Sequence, residues 1–268
     1  MLVLGFLTLV LGAILGSFVA CRQKGAFSRC DHCTKALSFW QKVPIISYIA
    51  LGGRCQFCGH KIKWQYLGAE VLGLMTAALM LYFWPKVWGG REWFCGYDDA
   101  KLSLLALSRL LAFWVFLGLV AVLTKLAIMD YKEGEMPHDS LITGVVLALV
   151  FLILKHIALR SFTDWHSWAQ ALEALVILFF PYWSLSSYSW GNWIGAGDSY
   201  LAAMLALVLA SGEWALLALF ITNALALLFY VGKSLIKQRP ASRKIAMAPY
   251  FLLTLIVLVF VGFDFCSF

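Results

Sequence analysis

The chain has 268 residues, of which 62% are hydrophobic and 13% are charged. A soluble domain of this length cannot bury so large an apolar share in its core, so the composition excludes that class and predicts an all-α polytopic membrane protein. The net charge of +7 does not indicate a nucleic-acid partner, because the basic residues concentrate in two loops beside apolar segments, at 22–63 and 233–244. Basic loops of this kind mark the cytoplasmic side of a membrane protein.

Apolar segments of about 20 residues, the length that crosses a bilayer as a helix, recur along the whole chain. The first has no basic residue before it, which predicts a retained helix rather than a cleaved signal peptide. A tight turn at Ser211-Gly212-Glu213 separates the sixth segment from the seventh. We predict eight transmembrane helices, near residues 1–20, 67–84, 105–129, 140–159, 168–185, 193–211, 213–232 and 247–263.

The topology follows from placing both basic loops in the cytoplasm. Six predicted helices then separate the loops, and both chain termini lie on the outer side of the membrane. The predicted domains are the first helix at 1–20, a cytoplasmic loop domain at 21–66, and a seven-helix membrane domain at 67–268.

The loop domain contains two C-x-x-C pairs, Cys30 with Cys33 and Cys55 with Cys58. Paired knuckles supply four thiolates for a structural zinc ion, and two disulfides are the competing interpretation. The cytoplasm is reducing, which favours zinc. Four protein ligands leave no open position for a substrate, so we expect the metal to fold the loop rather than to catalyse a reaction.

Two acidic residues stand at the ends of predicted helices. Asp130 ends the third helix, Asp198 begins the sixth in the stretch GAGDSYL, and the predicted topology places both at the cytoplasmic face. Two carboxylates at one depth can hydrolyse a peptide bond, one activating water while the other donates a proton. Taken singly, an aspartate at a helix start is also a common amino-terminal cap.

Four further residues are candidates for support of that site. We expect Gly195 and Gly197 to let the chain bend and to clear space for a substrate backbone near Asp198. Pro137 is expected to break the helix after Asp130. Glu70 either binds an amino terminus or a lysine of the substrate, or reaches from the bilayer edge towards water.

With these motifs in place, the sequence resembles the type IV prepilin peptidases, membrane aspartic proteases of the GxGD kind. The resemblance covers nearly the whole chain. It is carried by GSF at 16–18, VPIISYIALGGRCQFCGHKI at 43–62, QYLGAE at 65–70, the D-x6-P motif at 130–137, and GAGD at 195–198.

The resemblance implies a protein of the bacterial inner membrane, surrounded by lipid, with Asp130 and Asp198 as its catalytic residues. Its substrates would be prepilins or pseudopilins, which lose a short basic leader on the cytoplasmic side. Many family members then methylate the new amino terminus with S-adenosylmethionine.

The chain also departs from the family's pattern at several positions. After GSF it reads VACRQKGAFSRC, without the usual Asn-containing stretch and Arg-x-Pro, in the region that the family associates with methylation. His138 replaces an Asp or Asn, Tyr200 replaces a Lys, and Leu67 replaces a proline. Both aspartates are retained, so these changes leave proteolysis better supported than methylation.

Two other functions fit parts of the pattern. A membrane transporter or scaffold could use the aspartates to relay protons or bind a cation, but it would be expected to show an internal repeat with broken helices at mid-membrane. A protease of general transmembrane segments would keep the same chemistry and change the substrate.

Overall fold

The computed structural model describes residues 2–20, 30, 32–33, 35–38, 40–87, 104–158, 161–191, 193–237 and 246–261. Cys21, Cys95 and Cys266 have no spaced partner in the sequence, which predicts that they pack as small apolar residues. All three lie outside the described residues.

The described residues form helices, turns and isolated β-bridge residues, among them the pair Arg54 and Lys61, with no named strand, which confirms the all-α class. A short 3-10 helix covers Trp40–Lys42. The α-helices are α1 (Leu2–Ala20), α2 (Ile46–Ala50), α3 (Trp64–Val87), α4 (Leu104–Glu133), α5 (His138–Ala158), α6 (Trp165–Tyr188), α7 (Ala196–Leu209), α8 (Gly212–Lys237) and α9 (Ala248–Val261).

Every predicted transmembrane segment coincides with one of these helices, and α2 is the additional short one. Five described helices are long and apolar enough to cross a membrane: Trp64–Tyr82, Ser108–Glu133, His138–Ala158, Trp165–Tyr188 and Gly212–Gly232. The apolar stretches Gly5–Ala20, Ala196–Leu209 and Ala248–Val259 are shorter. The chain is therefore a multi-pass membrane protein, while eight crossings remain a prediction.

The chain divides into two compact units, Met1–Trp84 and Pro85–Phe268. In the first unit, α1 and α3 approach closely through residues that lack bulky side chains. A Cβ atom added to Gly16 would overlap the carbonyl oxygen of Ala69, and one added to Gly12 would overlap Ala77 and the carbonyl of Gly73. Small residues four apart on one helix let two backbones meet in this way.

In the second unit, α7 lies at the centre. It packs most extensively against α6 and then α5, with further contacts to α8 and α9. All ten residues from Leu201 to Ala210 are buried, so protein covers this helix on every side. At its carboxyl end, the buried ammonium of Lys155 on α5 donates a hydrogen bond to the carbonyl of Leu209 at 3.4 Å.

The helix ends near the two aspartates differ in detail from the sequence prediction. Helix α4 ends at Glu133 because Gly134 adopts φ +66° and donates its N–H to the carbonyl of Asp130 at 2.9 Å, a left-handed glycine stop. Pro137 instead stands at the start of α5, where its carbonyl accepts hydrogen bonds from Ser140 and Leu141. A break does follow α7, but it falls at Ala210 and Ser211, with Ala210 at φ +50°, while Gly212 and Glu213 of the predicted turn already belong to α8.

The close approach of α1 and α3 is testable with a single methyl group. We expect Gly16→Ala to lower the stability of the protein in detergent by about 1–3 kcal/mol, because the added Cβ forces the two backbones apart. The measurement is the midpoint of loss of monodisperse protein on heating.

The matched control is Gly5→Ala on the same helix, where the added Cβ meets no atom of a described residue within 4 Å. An equal midpoint for the two variants would contradict the packing argument.

Candidate functional site

Asp130 lies in the last turn of α4 and is only 7% exposed. Its Oδ2 accepts a hydrogen bond at 3.0 Å from the backbone N–H of Ala248, the first residue of α9. Since the first N–H groups of a helix have no intrahelical acceptor, Asp130 caps α9 from another part of the chain.

Asp198 lies in the first turn of α7 and is 5% exposed. Its Oδ2 accepts a hydrogen bond from the N–H of Gly195 at 3.1 Å, and its own N–H donates to the carbonyl of Gly195. The other carboxyl oxygen, Oδ1, is buried without a hydrogen-bond partner. Asp198 is therefore the third residue of α7 and returns a bond to the N-cap residue Gly195, which differs from the amino-terminal cap weighed from the sequence, and this contact uses only one carboxyl oxygen.

The structure brings the two aspartates together. They interact electrostatically across the interior, and α9 contacts both α4 and α7. Two carboxyl groups that are buried near one another cannot both carry a charge cheaply, so we expect the pair to hold one proton between them. That state is the one that acid–base hydrolysis requires.

The two glycines before Asp198 have different surroundings. Gly195 adopts φ −69°, which any residue can adopt, so its backbone freedom is not what the site uses. A Cβ atom on Gly197 would overlap the end of the Met136 side chain. Clearance for a substrate backbone at these glycines stays a prediction.

His138 and Tyr200, two residues that depart from the family's pattern, contact each other. Their rings meet edge to face, with centroids 6.0 Å apart and an interplanar angle of 76°. His138 opens α5 and Tyr200 is the fifth residue of α7, and both are exposed. The two departures thus form one aromatic pair, whose Tyr200 follows Asp198 by two residues.

Glu70 belongs to the first unit, where its carboxylate is buried on α3. Its Oε2 accepts a hydrogen bond of 2.7 Å from the backbone N–H of Ile45. Ile45 has φ +62° and precedes α2, a strained conformation for a β-branched residue. Glu70 therefore anchors the middle of the cysteine loop to α3, a contact that the sequence does not reveal.

The four predicted metal ligands form a cluster. The Sγ atoms of Cys30, Cys33, Cys55 and Cys58 all lie within 4.8 Å of one another, and the Cys30–Cys58 and Cys33–Cys55 pairs are 3.8 and 4.0 Å apart. Thiolates at about 2.3 Å from a tetrahedral zinc ion are about 3.8 Å apart, whereas a disulfide bond is about 2.05 Å long. The cluster has the size of a metal site, and these four cysteines form no disulfide.

The local backbone of the second knuckle also favours metal binding. Hydrogen bonds from the backbone N–H groups of Cys58 and Phe57 lower the pKa of the Cys55 thiol to about 7. Despite a hydrogen bond from the backbone N–H of His60, desolvation and the neighbouring thiols raise the pKa of the Cys58 thiol to about 11. Of the two, Cys55 therefore forms the thiolate first. Gly53 and Gly59 adopt φ +66° and +65°, as expected for a knuckle turn. His32 and His60 stack on each other with ring centroids 4.4 Å apart and are not members of the sulfur cluster.

The sequence did not predict the donor at Ala248, because it acts through a backbone N–H group, which no residue type identifies. Pro249 does indicate where this donor lies, because proline is common in the first turn of a helix, where the N–H groups have no partner in the helix.

Comparisons with known proteins agree with these two regions. Residues 10–84 match the model for the bacterial peptidase A24 N-terminal domain, and residues 117–232 match that for the type IV leader peptidase family. The first match contains the four clustered cysteines, and the second contains both aspartates.

Several relatives carry the name prepilin leader peptidase/N-methyltransferase. The one from Pseudomonas putida is 26% identical over 83% of this chain and 68% of its own length. That from Stutzerimonas stutzeri is 28% identical over 72% and 57%, and that from Bacillus subtilis is 26% identical over 88% and 85%. No solved structure matches the chain.

The Glu70–Ile45 contact predicts a local effect in the first unit. Because Glu70→Ala removes the acceptor of the Ile45 N–H, we expect amide hydrogen exchange around residues 45–50 to accelerate by about tenfold or more. Exchange followed by mass spectrometry on the full chain measures this.

Glu70→Gln is the matched control, since its side-chain carbonyl still accepts the bond. Unchanged exchange in the alanine variant would show that Glu70 does not hold the loop.

Proposed function

The chain belongs to the type IV leader peptidase family, and from that premise we propose that it is an aspartic endopeptidase. It cleaves the basic leader from prepilins or pseudopilins at the cytoplasmic face of the bacterial inner membrane. The observation that carries this proposal is the buried pair of Asp130 and Asp198, which the ends of two helices bring together.

The chemistry needs one proton shared by the pair. The ionised carboxyl group removes a proton from a water molecule that attacks the scissile carbonyl, and the protonated group donates to the substrate. Both aspartates lie in terminal turns of their helices, Asp130 in the last turn of α4 and Asp198 in the first turn of α7. A cut just before an apolar helix requires a site at the membrane surface, where the helices end, because the substrate helix stays in the lipid.

Charge supports a basic leader as the substrate. Three acidic side chains follow Asp130 in the loop and the first turn of α5, and all are exposed: Glu133, Glu135 and Asp139. Such a group raises the local concentration of a basic peptide.

Zinc is the metal that fits the cluster best. Four thiolates with tetrahedral spacing suit zinc, and with four protein ligands its contribution is to fold the loop around residues 30–58. Cys30, Cys33, Cys55 and Cys58 would hold it, and none of the hydrolytic steps passes through it.

Methylation of the new amino terminus is part of the relatives' names, and S-adenosylmethionine would be its methyl donor. The segment where the chain departs from the family's pattern includes residues 21–29, outside the described residues. We therefore assign no residue to that cofactor and leave methylation to a direct measurement.

The transporter alternative has no support from the relatives, which carry a peptidase name. The two aspartates also sit in terminal helical turns rather than at helix breaks in mid-membrane.

The peptidase proposal is tested at the two aspartates. With purified protein in detergent and a prepilin as substrate, we expect Asp130→Asn and Asp198→Asn each to slow leader release by about 10²–10⁴-fold, because each removes a proton-transfer group. Leader release is measured by mass spectrometry of the product.

Glu213→Gln is the control, since this carboxylate is exposed in the first turn of α8 and belongs neither to the pair nor to the acidic group after Asp130. Wild-type cleavage by either paired-aspartate variant would refute the peptidase proposal. An unrelated transmembrane helix, tested in parallel, should remain uncut, and addition of S-adenosylmethionine shows whether the product gains a methyl group.

The zinc assignment is tested separately. We expect about one zinc ion per chain by elemental analysis and its loss in Cys58→Ser, because three thiolates hold zinc far less tightly than four. Hydrogen exchange across residues 40–63 should accelerate in the same variant.

Cys266→Ser is the matched control, because this cysteine has no spaced partner in the sequence. Retention of a full equivalent of zinc by Cys58→Ser would contradict the assignment.

A further inference from the structure

We propose that the amino terminus of α9 gives the two aspartates unequal roles. The N–H of Ala248 holds Asp130 as the carboxylate that activates water, and Asp198 carries the shared proton. Ala248 is then a positioning residue that acts through Asp130. The assignment deepens the proposed peptidase function and rests on it.

The first step is the set of donors at Asp130. Ala248 is 1% exposed and begins α9, so its N–H has no acceptor within its own helix and no access to bulk water. The next residue, Pro249, has no N–H, while the N–H groups of Tyr250 and Phe251 already donate to the carbonyl of Met247. The donor at Ala248 is therefore committed to Asp130 Oδ2, and a charged acceptor gives the stronger bond.

The second step is the contrasting environment of Asp198. Among the described residues, its carboxyl group accepts one hydrogen bond, from the N–H of Gly195 to Oδ2, while Oδ1 is buried without a partner. A buried anionic oxygen without a donor is costly, whereas a protonated Oδ1–H can itself donate. The lone proton of the pair is thus more stable on Asp198 than on Asp130.

These states define a balanced reaction. Asp130 takes a proton from water as the water oxygen bonds to the scissile carbonyl carbon, and the proton of Asp198 moves to the carbonyl oxygen. Asp130 then gives its proton to the leaving nitrogen as the carbon–nitrogen bond breaks. A hydroxyl of the tetrahedral intermediate returns a proton to Asp198, which restores both starting states.

The packing of α9 explains how a segment that is distant in the sequence acts on the pair of aspartates. Ala248 is 118 residues from Asp130 in sequence, yet α9 contacts both α4 and α7. One helix therefore supplies the donor to Asp130 and also packs against the helix that carries Asp198.

The direct test reads the protonation states without any substrate. The aspartate carboxyl carbons are labelled with ¹³C in the full chain, and the resonances of Asp130 and Asp198 are assigned as those missing from Asp130→Asn and Asp198→Asn. At pH 7 we expect Asp130 at the carboxylate position and Asp198 at the carboxylic-acid position. The opposite order, or the same state for both, overturns the assignment.

The second test removes the donor itself. Ala248→Pro deletes the N–H at the first helical position, which tolerates proline. We expect kcat for leader cleavage to fall by about 10- to 100-fold with KM within about twofold, and the Asp130 resonance to lose carboxylate character.

Ala246→Pro is the matched control, because it places proline in the same segment without touching the donor at Ala248. If both proline variants have the same kcat, Ala248 is not a positioning residue. If Ala248→Pro fails to fold, the wild-type ¹³C spectrum decides the matter. A wild-type protein that shows the expected spectrum but cleaves no prepilin would refute the proposed function and leave the order of protonation intact.

Discussion

Two carboxyl groups buried close together in an apolar helix bundle can carry only one negative charge at a tolerable cost. The second unit satisfies this constraint with backbone donors at helix ends. Inside a helix every N–H is already engaged, so only the first turn can offer N–H groups to a side chain. The end of α4 carries Asp130, whose donor is the first residue of α9. The start of α7 carries Asp198, whose donor is the residue just before that helix.

The precision of this arrangement depends on α7. Nine of its consecutive residues, Leu201 to Leu209, are enclosed by protein, and its carboxyl end is held by Lys155 through the carbonyl of Leu209. At about 1.5 Å per residue, its 14 residues extend about 21 Å, less than the roughly 30 Å of a hydrocarbon core. A short helix fixed at its far end and packed on all sides cannot easily slide, so Asp198 keeps its position relative to α4 and α9.

The sequence predicted the helices well and the site in part. Apolar length is a strong signal, and each predicted segment coincides with a helix; the cysteine spacing likewise anticipated a cluster that the structure forms. Hydrophobicity does not separate residues that face lipid from residues that face protein, so the enclosure of α7 was not predictable. The donor to Asp130 is the backbone N–H of Ala248, and the donor to Glu70 is that of Ile45. Any residue except proline provides such a group. Gly134 was overlooked as the end of α4 because Pro137, three residues later, is the more familiar helix breaker.

The first unit solves a different problem with similar means. Its cysteine loop offers few buried apolar residues. Among the described residues between 30 and 63, only Cys55 is buried. Order must therefore come from specific bonds rather than from a core. The sulfur cluster ties the two ends of the loop together, and Glu70 ties the middle to α3 at Ile45, where the backbone is strained. A strained residue persists only where its surroundings determine it from several sides, and the two ties together provide that.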